Sequence, residues 1–164
     1  MSIQLLVIGL AGSGKSTVGR AVAEKLGVRY VDGDQLHPQA NLQKMAKGTP
    51  LSDDDRDLWV ANIIDELGKG DVVIGASLLK RSYRDQIKRS VRLARFAQLD
   101  APKSVLEERL ANQESAIRKD LLTSQLAIAD PIAPNEDGKQ FSGLLPVEQL
   151  VSLISTDVRA WLAG

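Results

Sequence analysis

The 164-residue chain contains no cysteine, which excludes disulfides, thiolate metal sites and a cysteine nucleophile. Aromatic residues make up only 4%, too few to interleave with basic residues as a platform for stacked bases. An excess of one charge is missing as well. Lys+Arg and Asp+Glu both number 21, for a net charge of zero, whereas a general nucleic-acid binder is usually basic. No apolar run approaches the roughly 20 residues that span a bilayer. The first strand opens at Gln4, which leaves no room for a secretory leader. The chain therefore reads as a single cytoplasmic domain over residues 1–164, with neither membrane nor nucleic acid as a partner. Its 43% of apolar residues are enough for one core.

What is present begins with Gly9-Leu10-Ala11-Gly12-Ser13-Gly14-Lys15-Ser16-Thr17. This stretch follows the apolar run Leu5-Leu6-Val7-Ile8 and precedes Val18, Val22 and Leu26, spaced four apart as on one helical face. Strand, glycine-rich turn and helix are the context that Gly-x-x-x-x-Gly-Lys-[Ser/Thr] needs to form a phosphate-binding loop. Glycines let the backbone approach an anion closely, and the N–H groups of Gly9 to Thr17 then surround it at the positive end of the helix dipole. Lys15 is expected to reach the β/γ-phosphates and the Ser16 hydroxyl to ligate Mg²⁺. A nucleoside triphosphate such as ATP is the expected ligand.

The rest of the chain alternates strands and helices. Strands are expected near 4–8, 28–31, 71–75, 92–99 and, more weakly, 140–145. Ser52 suits the N-cap of a helix whose buried stripe reads as Leu58, Ala61, Ile64 and Leu67. A further helix is expected over 121–129, and 132–139 reads as an exposed loop whose residues 135–138 fit beside the adenine. Such alternation implies an α/β fold with a parallel five-stranded sheet and helices on both faces. Ligands in these folds bind beyond the carboxyl ends of the strands, so the loops after strands one, two and three share an edge.

Asp32 and Asp34 stand at the end of strand two. Transfer of a phosphoryl group to an alcohol needs a base for the hydroxyl and carboxylate support around Mg²⁺. The natural division places Asp32 near the metal and Asp34 on the acceptor hydroxyl. His37, the single histidine, lies three residues on and suits a hydrogen bond to the substrate. Arg56 reads either as a helix ion pair or as an anion clamp, for which its planar fork is suited. Lys80 and Arg84 share a helical face beside the strand-three loop and are candidates to hold an acid group, with Ser77 in the same loop. The remaining basic residues between 80 and 95 read as a solvated face.

These residues resemble the bacterial gluconate kinase family, small P-loop enzymes related to shikimate and adenylate kinases. The resemblance rests on Gly9–Thr17; on Asp32-Gly33-Asp34-Gln35-Leu36-His37-Pro38 with Asn41, Lys44 and Met45; and on Gly48–Arg56 with Trp59. It continues through Ser77–Asp85 and Leu121–Gln125. It implies ATP-dependent phosphorylation of D-gluconate at the 6-hydroxyl and a homodimer. It also implies a small helical lid, here about 111–122, with an arginine near its start followed by His-Phe. This chain reads Asn112-Gln113-Glu114-Ser115-Ala116-Ile117 there. Arg118 is the candidate for the catalytic lid charge, and Arg109 for contact with the nucleotide. The departure keeps two alternatives open: a P-loop kinase of another small hydroxy acid, or an ATP-binding protein with impaired catalysis.

Overall fold

The computed structural model describes residues 2–112 and 116–164, with side-chain surroundings in the second stretch from 121 onward. Five parallel strands form one sheet in the order β2-β3-β1-β4-β5. They are β1 (Gln4–Gly9), β2 (Arg29–Asp32), β3 (Val72–Ala76), β4 (Arg95–Asp100) and β5 (Gly138–Ser142). The helices are α1 (Lys15–Leu26), α2 (Gln39–Ala46), α3 (Asp53–Leu67), α4 (Arg81–Ser90), α5 (Lys103–Ala111), α6 (Ala116–Ile128) and α7 (Val147–Ala163). A 3-10 turn spans Gly33–Leu36. Among the described residues no helix is long and apolar enough to cross a membrane.

The interior strands are apolar throughout because both of their faces are covered. Alternation along β1 sends Leu5 and Val7 to one side, against Val18, Val22, Leu150, Ile154 and Val158 of α1 and α7. Leu6 and Ile8 go to the other, against Val60, Ile63 and Leu67 of α3 and Tyr83 and Ile87 of α4. A smaller cluster of Ala11, Leu106, Leu110 and Leu122 seats α5 and α6 over the loop after β1.

Several details differ from the sequence expectation. The stripe of α3 is Trp59, Val60, Ile63 and Leu67, while Leu58 is 60% exposed. Ser52 does cap α3, through a reciprocal capping box with Asp55. That start, together with the docking of Trp59 described below, sets the rotation of the helix. Strand β4 begins at Arg95, and Phe96, which looks out of phase for a one-sided strand, is buried in the α3–α4 core. An interior parallel strand has no polar face for it to violate. Helix α6 starts five residues before the expected Leu121, and β5 starts two residues before Gln140.

Candidate active site

Between β1 and α1 the chain passes through Gly12 at φ 84° and Gly14 at φ 91°, left-handed values that favour glycine. The Gly14 carbonyl accepts the Val18 N–H at 2.9 Å, which starts the helix. Two neighbours brace this loop. Gln125 of α6, itself buried, accepts the Ala11 N–H on Oε1 at 2.7 Å. Arg109 of α5 donates to the carbonyls of Gly12 at 3.2 Å and Gly143 at 2.7 Å, and more weakly to that of Ser13 at 3.4 Å. The Ala11 N–H is thus an anchor for the loop rather than part of the anion cradle, and the Ser13 N–H is turned inward to the Leu10 carbonyl at 3.1 Å. The cradle narrows to Gly12, Gly14 and the first turn of α1, whose N–H groups have no partners within the helix.

Beside this cradle lies the turn after β2. Asp32 caps it by accepting the Asp34 N–H on Oδ1 at 3.0 Å. Gly33 presses against the end of β3, where a Cβ would meet the Gly75 carbonyl at 2.6 Å and the Ala76 Cβ at 2.8 Å. Only glycine brings Asp32 and Asp34 this close to the strand that leads into Ser77. The Tyr30 side chain ties the two loops together. Its buried hydroxyl sits next to the Ser16 side chain, within electrostatic reach of Asp32 and Asp34, and burial leads in raising its pKa.

His37 follows the 3-10 turn and is 8% exposed. Its ring stacks on Trp59 of α3, centroids 4.5 Å apart and planes at 10°. The Trp59 indole N–H donates to the Gly33 carbonyl at 2.8 Å. One tryptophan therefore supports both the histidine and the aspartate turn. Burial, helped by the Arg56 charge, lowers the His37 pKa from 6.5 to about 4, so the ring is neutral at pH 7. Asn41 of α2 bonds to His37 Nδ1 at 3.2 Å and to the Asp55 carbonyl at 2.8 Å. The Asp55 carboxylate binds Lys44 at 2.7 Å. That bond, aided by the Ser52 N–H, holds the Asp55 pKa down to about 2.

Arg56, Asp53, Lys80 and Tyr83 form the far wall. Asp53 accepts from Lys80 Nζ at 2.9 Å and from the Tyr83 hydroxyl at 2.7 Å. The Lys80 bond leads in lowering the Asp53 pKa and in raising that of Lys80. Arg56 lies close enough to act on His37, Asp53 and Tyr83. Both readings of Arg56 remain compatible with this placement, because it sits next to an acid and borders the acceptor loop.

Arg84 is corrected. It was expected to clamp an acid group of the substrate, but its side chain is 1% exposed. Its Nε and Nη2 bind the Glu136 carboxylate at 2.7 and 3.0 Å, and its Nη1 donates to the Leu78 and Leu79 carbonyls, each at 3.1 Å. Arg84 thus holds the loop after β3, where Leu78 has the unusual φ of 34° with its side chain wholly buried. Ser77 is half-buried at the start of this loop. The stretch 132–139 is not simply exposed. Ile132 joins the core, Glu136 meets Arg84, and Asn135 accepts from Arg81 at 3.0 Å. Gly143 is tied to the phosphate loop through Arg109, which binds its carbonyl together with that of Gly12. Lid residues 113–115 and the Arg118 side chain lie outside the described residues.

From the sequence Tyr30 has no role, Asn41, Asp53, Trp59, Tyr83 and Gln125 have none beyond the resemblance, and Glu136 has none beyond its place in the 135–138 loop. Trp59 had a signal, as one of only two tryptophans in a helix that would otherwise expose it. Gln125 and Glu136 had none, since their partners lie more than 50 residues away in the chain.

Comparison with known proteins agrees with this geometry. A family model described as an AAA domain matches residues 5–130. The gluconokinase of Gluconobacter oxydans is 38% identical over 146 residues, which cover 85% of this chain and 82% of that protein. The thermoresistant gluconokinase of Escherichia coli K12 is 34% identical over 140 residues, 80% of this chain and 79% of its own length. The crystal structure of a gluconokinase from Sinorhizobium meliloti 1021 superposes with a TM-score of 0.88 at 34% identity, covering 97% of this chain and 93% of that one. With a five-stranded P-loop fold, the Asp32–Asp34 turn set beside the phosphate cradle, and relatives of this identity across most of its length, the chain belongs to the gluconokinase family.

Proposed function

We propose that the protein transfers the γ-phosphoryl group of ATP to the 6-hydroxyl of D-gluconate, giving 6-phospho-D-gluconate and ADP. The observation that carries this reading is the meeting of two loops. A phosphate cradle and a carboxylate turn share Tyr30 as a common neighbour of Ser16, Asp32 and Asp34. Lys15, with Gly12, Gly14, Ser16 and Thr17, binds the triphosphate, and Gly9 and Ser13 shape the loop that holds it. Arg109, already fixed to the cradle and to Gly143, borders the nucleotide. Asp34 accepts the proton of the attacking hydroxyl, and transfer proceeds in line. Arg118 supplies positive charge from the lid. His37, Arg56, Ser77 and Lys80 orient the polyol and its carboxylate, and Lys80 exchanges Asp53 for the substrate acid.

The residues present fit a magnesium ion. Mg²⁺ takes hard oxygen donors and usually only one or two from protein, the rest coming from phosphates and water. Ser16 offers a hydroxyl and Asp32 a carboxylate, and no cluster of three or more His, Cys, Asp or Glu stands among the described residues. The ion would neutralise charge on the β/γ-phosphates. The family resemblance extends the reading to a homodimer in the cytoplasm, which sedimentation equilibrium checks.

The test is ATP turnover coupled to ADP detection, with a panel of sugar acids and shikimate as acceptors. Gluconate is expected to give the highest kcat/KM. Absence of gluconate-stimulated ADP formation would overturn the reading.

A further inference from the structure

The hydrogen bonds around His37 determine where its single ring proton sits. The Asp55 carbonyl can only accept, so the Asn41 atom 2.8 Å from it is the amide nitrogen. The same nitrogen lies 3.2 Å from His37 Nδ1. Its second hydrogen therefore points at Nδ1, which must carry a lone pair. A neutral imidazole with an unprotonated Nδ1 bears its proton on Nε2. Stacking on Trp59 fixes the ring plane, and the Asn41 bond fixes its rotation. Among the described residues Nε2 has no protein acceptor, and it is not among the buried unpartnered atoms.

We infer that Asn41 is a positioning residue that locks His37 as a one-way hydrogen-bond donor, Nε2–H, toward a lone pair of the acceptor. His37 then selects oxygen acceptors on the sugar acid and takes no proton in the reaction. Asn41 acts in turn through the Asp55 carbonyl in the first turn of α3. This inference rests on the proposed kinase reading for the identity of the acceptor, but not for the state of the ring.

Because His37 is the only histidine, nitrogen NMR of histidine-labelled full-length protein at neutral pH reports this ring alone. The expected spectrum has a protonated Nε2 and an unprotonated Nδ1. A proton on Nδ1, or nitrogen shifts averaged between the two tautomers, would overturn the inference. In Asn41→Asp the carboxylate accepts, so a proton is expected on Nδ1; an unchanged ring would remove the role of Asn41. Should Asn41→Asp fail to fold, a kinetic pair decides. His37→Gln keeps an N–H donor and is expected to hold the gluconate KM within about threefold. His37→Leu is expected to raise it about tenfold or more, the scale of one lost hydrogen bond of about 1.4 kcal/mol. In both, the KM for ATP is expected to stay within about threefold. Equal KM values for the two variants would sink the donor role. If the wild-type protein phosphorylates no acceptor, the kinase reading fails while the ring spectrum still decides the tautomer.

Discussion

In the donor half, nine consecutive residues make the loop that carries the cradle, and backbone N–H groups at the start of α1 provide its chemistry. In the acceptor half, His37, Asn41, Arg56, Trp59 and Lys80 arrive from a 3-10 turn, two helices and the loop after β3. The first site is a shape of the chain itself, braced from outside by Gln125 and Arg109. The second is a relay of side chains, in which Trp59 serves Gly33 and His37 together. A backbone site tolerates changes in its neighbours as long as the turn survives, whereas a relay passes each substitution on to the next member.

The contrast is broken most severely at the reacting groups. Lys15→Met and Asp34→Asn are each expected to lower kcat by about 10³-fold or more. Only Lys15→Met should also weaken ATP binding, measured by calorimetry; equal loss in Asp34→Asn would mean that the halves are not separable. Next comes the support of the acceptor wall. Burial raises the Glu136 pKa, but Arg84 and the Ala133 N–H outweigh it and hold the carboxylate ionised. Arg84→Met leaves that charge without its partner and should cost about 3–5 kcal/mol in urea unfolding. Arg84→Met with Glu136→Leu should recover much of the loss.

A smaller effect follows from pH. The unfolded chain protonates His37 near 6.5, and the folded chain not until about 4. The unfolded state therefore binds more protons between these values. This contribution to stability is complete above 6.5 and is lost as pH falls toward 4. Between about pH 7.5 and about pH 5, wild-type protein should lose about 2 kcal/mol more than His37→Gln. Equal losses would place the imidazole in contact with water. The smallest effect is at Ser52, whose Oγ accepts the Asp55 N–H. Ser52→Ala should destabilise by about 1 kcal/mol and leave the KM for ATP unchanged, which sharpens the separation of the halves.

These contrasts also explain what could be read from residues alone. The cradle was legible because Gly12, Gly14, Lys15 and Ser16 are local, and the parallel five-stranded sheet followed from apolar runs alternating with helices. Asp32, Asp34 and His37 were legible as a turn at a sheet edge. Arg84 was misjudged because helical spacing puts it on the same face as Lys80, yet one turn along α4 that face passes beneath the loop after β3, where Glu136 waits. Leu58 and Trp59 were exchanged because the α3 pattern has apolar residues on either side of the true stripe. The Ser52 cap and the bond from the Trp59 indole to Gly33 decide the phase, and that bond joins residues 26 positions apart.

Trp59 has a consequence in light. The second tryptophan, Trp161, lies at the other end of the molecule, with Lys88 and Arg95 over its ring and its indole N–H on the Leu93 carbonyl at 3.1 Å. Replacing it with phenylalanine leaves one emitting indole in the chain, in face-to-face contact with the only imidazole. The fluorescence of Trp59 then registers the charge and distance of His37 directly, and the protein carries a built-in gauge for the moment an acceptor enters.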